Sequence, residues 1–309
     1  MTLLSPVGTY LLAKRQLRDK LKTEYEYEQR KKLRDLIGRY HGRILQTVEE
    51  FNYRMLSLYR SEGAGWLDVG EDYDKVGSTP ERYYYFRTTV YRFLALFAVV
   101  REFEAEALFI DSRIADRTDF EFVKYLRAMV WVATDTHLFE GLAYDTSTSK
   151  DHFFRDQLRR ACECCWVQNE NEENRFVSLD EFRAMIGKEQ ALESVLDYFN
   201  GLRSDEDRYR WDRLVSLHLI LLAFLDDFGY EFQRSPREIV NRVAGMVRNP
   251  EVARNLSFWL TKLGLVRQTR DEPQYMLTWI LHRVPQVRTV RERHIRRVNK
   301  PLKKRSPKG

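Results

Sequence analysis

At 309 residues, 43% apolar and 13% aromatic, the chain is long enough for one large or two modest packed cores. Its 32% charged residues, with only 14 Gly and 8 Pro, point to a soluble, mainly helical protein, and its longest apolar runs, at 93–100 and 217–225, are less than half a membrane span. Charge is unevenly spread: residues 283–309 hold eleven Lys or Arg against one acid, Glu292, a net +10, so the whole-chain +6 leaves about −4 on the 282 residues before them.

The first 16 residues, MTLLSPVGTYLLAKRQ, lack the basic, apolar, small-residue order of a secretory signal, and an intracellular, cytoplasmic location is the expectation. Leu33, Ile37, Tyr40, Ile44, Val48, Phe51 and Met55 recur at steps of three and four, which predicts a helix through most of 15–59 with one apolar face. Its first half, KRQLRDKLKTEYEYEQRKKLRD, is charged between its Tyr and Leu residues. Two readings follow: a solvated projecting helix laced with ion pairs, or a coiled-coil arm for a partner chain or a second copy.

Gly63, Gly65, Gly70 and Gly77 among acids predict a loop over 61–79. Thr79 as cap, Pro80 and Glu81 then predict the start of a helix reaching Phe109. Its stripe of Tyr83, Phe86, Val90, Phe93 and Phe97 belongs in a helix-bundle core. A second helix is predicted over 119–139 and, after the GLAYDTSTS turn at 141–149, a third that carries the cysteines. NENEEN at 169–174 marks an internal boundary. Beyond it the capping box of Ser178 and Glu181 opens short helices over 179–185 and 189–201, and after RSDEDR an apolar helix is predicted over 209–228 with Gly229 as its C-cap.

Ser235, Pro236 and Glu238 then start a helix, Asn249 and Pro250 start another that ends at Gly264, and LVRQT and QYMLTWI flank RDEP as two strands and a turn. Helix, turn, helix and hairpin over 236–280 resembles the second half of a winged helix. In that family the second helix enters the major groove and the hairpin is the wing. The resemblance therefore implies a groove helix over 251–263 bearing Arg254, Asn255, Thr261 and Lys262, and a wing bearing Arg267 and Arg270. The basic end beyond it, with Pro301, Pro307 and Gly309, reads as a disordered arm for a polyanion, nucleic acid or an anionic membrane surface. Its contacts would be Arg291, Arg293, Arg296, Arg297, Lys303, Lys304 and Arg305, binding all sequences alike by releasing counterions from phosphates.

Catalytic patterns are sparse. An Arg followed by four to six residues and then a His resembles the motif of the HEPN ribonucleases, and Arg213 with His218 fits it. Arg34 with His41 and Arg288 with His294 are similar pairs, and chance alone predicts about two at this arginine content. Asp226, Asp227 and Glu231 are a candidate acidic cluster, and Asp135 with His137 a candidate pair, although acids at helix ends are commonly solvated. Cys162, Cys164 and Cys165 share one turn, with His152 ten residues upstream. An odd cluster of this kind is neither a disulfide framework nor a complete zinc site, and reads as small buried or half-buried helix residues, with a redox or metal role as the alternative. Phosphate loops, nucleophile elbows and paired-His zinc motifs are missing.

YEYEQRKKL at 25–33, YHG at 40–42, YRMLSLY at 53–59 and YRFLALFAVVREFEAE at 91–106 resemble uncharacterised bacterial helical proteins over residues 20–135, which implies a role in defence or stress. The expectation is thus a mainly α protein: a multi-helix bundle over 1–168 with a long charged N-terminal helix, a helical middle region over 175–230, a small winged-helix-like module over 235–282 and a disordered basic tail over 283–309. The expected function is a non-enzymatic nucleic-acid-associated or assembly subunit of a bacterial, phage-defence type of system, without cofactor or metal. A HEPN-like ribonuclease toxin and a helical scaffold binding a partner protein or membrane surface are the alternatives.

Overall fold

The computed structural model describes residues 6–61, 64–70, 73–78, 83–111, 114–148, 150–167 and 175–265. Helix α1, Pro6–Arg60, runs unbroken for 55 residues, about 80 Å at 1.5 Å per residue. The predicted apolar face is the buried one: Leu33, Tyr40, Ile44, Val48, Phe51 and Met55 are all within the core. Upstream, α1 projects. From Tyr10 to Glu28 no residue is buried, and Gln29 is the first to meet the body, accepting a 3.2 Å hydrogen bond from the Asp111 backbone N–H.

Sequence patterns place a loop where α2, Tyr73–Ser78, forms. Tertiary partners fix this short helix: Val76 is fully buried and its carbonyl accepts from Arg87 Nη1 at 2.7 Å, while Tyr73 Oη donates to Asp197 Oδ1 at 2.6 Å. The predicted cap residues Thr79, Pro80 and Glu81 lie outside the described residues. Helix α3, Tyr84–Ala107, begins without a side-chain cap bond and stops short of Phe109, which is 88% exposed. The predicted helix over 119–139 is two elements, α4, Arg117–Thr134, and a 3-10 turn, Thr136–Phe139. Asp135 separates them because its carboxylate accepts from the His137 N–H at 2.9 Å, a local bond that competes with the helix.

Helix α5 spans Arg155–Glu163. A two-stranded antiparallel ribbon that sequence periodicity did not reveal, β1, Trp166–Val167, and β2, Arg175–Phe176, then pairs Trp166 with Phe176. The predicted capping box is present: Ser178 Oγ accepts from Glu181 N, and Glu181 accepts from Ser178 N, at the start of α6, Leu179–Met185. A 3-10 turn leads into α7, Glu193–Phe199, and α8 covers Arg210–Phe228. The last described helices are α9, Arg237–Ala244, and α10, Pro250–Lys262, at the positions predicted for the helical pair. The hairpin at 265–280 and the tail fall almost wholly outside the described residues.

The architecture is a mainly α bundle built around α8, which is buried from Arg210 to Leu225 and packs against α1, α4, α9 and α10. One hydrophobic cluster runs from Leu33 to Leu265, so the helical body, the middle region and the α9–α10 pair share a core across the boundaries predicted from sequence. Phe93 is its aromatic hub, with ring centroids of Phe51, Phe97, Phe153 and Phe199 at 5.8, 4.7, 5.2 and 5.1 Å. Burial of each such ring stabilises by roughly 1.5–3 kcal/mol, and the pair geometry adds about 0.5–1.5 kcal/mol per contact. Among the described residues no helix is long and apolar enough to cross a membrane.

Gly229 ends α8 as predicted, but by a different device. Its φ of −80° and ψ of 164° are extended rather than left-handed, and its N–H donates to the Leu225 carbonyl. A Cβ at this position would stand 2.5 Å from that same oxygen, so close approach, not conformational freedom, demands glycine. Gly229→Ala is expected to lower unfolding free energy by about 1–3 kcal/mol in urea titrations; an unchanged midpoint would contradict the close contact.

Candidate nucleic-acid interface

Helix α10 is built from local signals. Asn249 caps it by accepting from Glu251 N at 2.9 Å, Pro250 occupies its first turn, and Gly264 at φ +69° terminates it, with Leu265 N donating to Leu260 O at 3.0 Å. Val252, Ala253, Leu256 and Leu260 are its buried face. Of the residues assigned to a groove face, Arg254 and Lys262 reach solvent, Arg254 paired to Glu251 at 2.7 Å and Lys262 lying 4.6 Å from the Trp259 ring. The Asn255 amide donates inward to the carbonyls of Leu138 at 3.2 Å and Glu140 at 2.9 Å, and Thr261 Oγ1 donates to Ser257 O at 2.8 Å. Arg267, Arg270, Arg291, Arg293, Arg296, Arg297, Lys303, Lys304 and Arg305 lie outside the described residues.

Beside α10 is a cationic cleft that sequence reading missed. Arg101 and Glu104 from α3, Arg127, Val130 and Trp131 from α4, Arg155 from α5, and Trp259 and Leu263 enclose about 290 Å³. Arg101 Nη1 donates to Glu104 Oε2 at 3.1 Å. Burial raises the Glu104 carboxyl above the usual range, while Arg101, Arg127 and Arg155 pull it back. Among the described residues Arg127 and Arg155 have no hydrogen-bond or ion-pair partner. Trp131 Nε1 and Arg101 Nε are buried with no acceptor. Three arginines on three helices, 26 and 28 residues apart, leave no local motif.

The catalytic candidates are part of the core. Arg213 is 1% exposed; Nε donates to Asp151 O at 2.8 Å, Nη2 to Asp135 O at 3.0 Å and Nη1 to Val132 O, and the guanidinium lies 4.4 Å from the Phe139 ring. His218, fully buried, bonds through Nδ1 to Tyr59 Oη at 3.0 Å and through Nε2 to Asn52 Oδ1 at 2.7 Å. The two therefore serve different neighbourhoods of α8 and do not face solvent together. Arg34 pairs with Asp116 and Asp119, while His41 lies against Phe122. Arg288 and His294 lie outside the described residues.

Asp227 accepts from Tyr125 Oη at 2.5 Å, and burial raises its carboxyl to about 6. Asp135 Oδ1 accepts from the His137 backbone and lies 2.7 Å from His137 Nδ1, a cap rather than a metal pair. Cys162 and Cys165 are buried and Cys164 half-buried, all three free; burial pushes the Cys162 thiol well up. Among the described residues no group of three His, Cys, Asp or Glu is arranged to hold a metal ion.

Burial holds the folded-state pKa of His218 down to about 3 and that of His152, whose Nδ1 meets Tyr144 Oη, to about 4. The unfolded chain binds these protons near 6.5, so their contribution is lost as pH falls from there toward 4 and 3. Asp227, raised to about 6, acts in the opposite sense, so a matched variant is needed. His218→Gln is expected to flatten the pH dependence of unfolding free energy between 4 and 6 by about 1.4 kcal/mol per pH unit; parallel profiles would contradict a neutral buried imidazole.

No protein-family model, curated protein or solved structure matches the chain, so the cationic features themselves carry the functional reading.

Proposed function

We propose that this protein is a non-enzymatic, nucleic-acid-associated subunit that holds phosphate backbone through its basic C-terminal segment, in keeping with the resemblance of residues 20–135 to bacterial helical proteins of defence or stress. The observation that carries the reading is the charge partition, net +10 over 283–309 against about −4 over the rest of the chain. Cationic side chains near the end of α10 support it. Arg254 and Lys262 are exposed, and a Cβ on Gly264 would come within 3.0 Å of Lys124 Nζ, so cationic side chains flank the last described residues. In the winged-helix-like reading, Arg267 and Arg270 extend that surface. Phosphate contacts of this kind are sequence-independent and salt-sensitive. The ribonuclease reading is less favoured because Arg213 and His218 are committed to buried partners.

The test is full-length protein against duplex DNA, single-stranded RNA and anionic vesicles across a salt series, compared with a chain in which Arg291, Arg293, Arg296, Arg297, Lys303, Lys304 and Arg305 are changed to Glu. Seven lost phosphate contacts are expected to reduce the log–log salt slope on duplex by about 6. An unchanged slope, or binding to vesicles alone, would sink this reading.

A second reading concerns α1, and a specific observation favours it. Tyr10, Leu17, Leu21 and Tyr25 are 66%, 59%, 57% and 51% exposed and, with Ala13, fall in one stripe about 120° wide at 3.6 residues per turn. The face that meets the body further along is taken here by Arg15, Arg18, Lys22 and Glu26, so the stripe is not an extension of the core. Over 14–28, Lys14, Arg15, Arg18, Lys20 and Lys22, with the single acid Asp19 among them, precede Glu24, Glu26 and Glu28. A second copy laid antiparallel sets each cationic half against the other's acidic half. The expected result in sedimentation is a concentration-dependent dimer, reduced to monomer by Leu17→Glu with Leu21→Glu at unchanged thermal stability. A native chain that stays monomeric at every concentration would rule it out.

A further inference from the structure

The cleft between α3, α4, α5 and α10 gathers three arginines from three helices beside a buried indole whose N–H has no acceptor. Arg101, Arg127 and Arg155 face a single carboxylate, Glu104, a local excess of positive charge. Arg127 and Arg155 make no hydrogen bond or ion pair with any described residue, and guanidinium groups supply five N–H donors each in a planar fork suited to oxyanions. Trp131 lines the cleft, is 8% exposed, and its indole N–H has no acceptor, an arrangement that native interiors rarely leave unexplained. Arg155 is the first residue of α5, a nine-residue helix whose N-cap Phe154 gives no side-chain bond to the first-turn N–H groups. A cation there opposes the helix dipole, and a bound anion would offset both. The volume, about 290 Å³, lies at the small end of ligand sites.

We propose that this cleft binds a phosphoryl group, with Arg101, Arg127 and Arg155 around its oxygens and Trp131 supplying a further donor. The site is separate from the basic C-terminal segment and stands whether or not that segment binds nucleic acid. Two sources share the chemistry, a free nucleotide and the 5′ phosphate of a nucleic-acid strand.

The experiment is isothermal titration of the full-length chain with inorganic phosphate, adenosine monophosphate, and a short single strand with and without a 5′ phosphate. The same probes are run on Arg127→Glu with Arg155→Glu, on Trp131→Phe, and on the charge-reversed C-terminal chain. One saturable site is expected for at least one phosphoryl probe, weakened about tenfold or more by the double arginine variant and several-fold by Trp131→Phe, and unchanged in the charge-reversed chain. Preference for the 5′-phosphorylated strand over its unphosphorylated twin assigns the strand end; equal or tighter adenosine monophosphate assigns the free nucleotide. Arg127 and Arg155 are exposed and unpaired, so their variant folds, which a native-like thermal midpoint verifies. The proposal is overturned by the absence of saturable phosphoryl binding, or by binding that persists in the arginine variant and disappears with the C-terminal charges.

Discussion

The fold depends on how three buried charged side chains near the start of α8, Arg210, Asp212 and Arg213, and the half-buried Arg248 find partners. Arg210 donates to the carboxylate of Glu206 and to the carbonyls of Asp197, Tyr198 and Asn200. Asp212, raised in pKa by burial, accepts from the backbone N–H groups of Arg248 and Asn249. Arg248 in turn donates to the carbonyls of Ser204, Glu206 and Arg208, and Arg213 to those of Asp151, Val132 and Asp135. Burial of an ion without such bonds costs far more than any single apolar contact returns. Satisfied, these groups tie the end of α4, the turn before α5, the end of α7, the loop into α8 and the start of α10 to one helix.

That arrangement separates interior cations from those at the surface. Arginine is abundant, 38 of 309 residues, and in the interior it is used to satisfy loop carbonyls that no secondary structure reaches. The residues that best resembled a catalytic pair, Arg213 and His218, belong to this interior. Peripheral cations lie instead in the cleft beside α10, where Arg127 and Arg155 make no ion pair among the described residues, and on α10 itself, where Arg254 pairs with Glu251 and Lys262 lies over Trp259.

The long helix α1 joins the two regimes. Its C-terminal half is core, with Phe51 and Met55 fully buried, while its projecting stretch carries i,i+4 pairs such as Lys20 with Glu24 and Lys22 with Glu26, each at 3.9 Å. Exposed pairs of this kind contribute little, about 0.3–0.5 kcal/mol each. Continuity with the buried half is therefore what extends the helix, since propagation from an existing helix avoids the cost of nucleation.

Sequence alone determined the helices whose evidence is local. The three-and-four spacing of Leu33 to Met55, the capping box of Ser178 and Glu181, the Asn249–Pro250 start and the Gly264 stop are all decided within one or two turns, and each is present. Interactions across long separations could not be read that way. Val76 drew a helix out of a glycine-rich stretch, Asp135 broke a continuous apolar period, and Asn255 turned from the face expected to meet DNA toward the carbonyls of Leu138 and Glu140. The approach of Arg101, Arg127 and Arg155 to one another has the same origin: helix caps act over three or four residues, whereas a buried or shared charge is placed by whichever distant backbone groups the packed core leaves beside it.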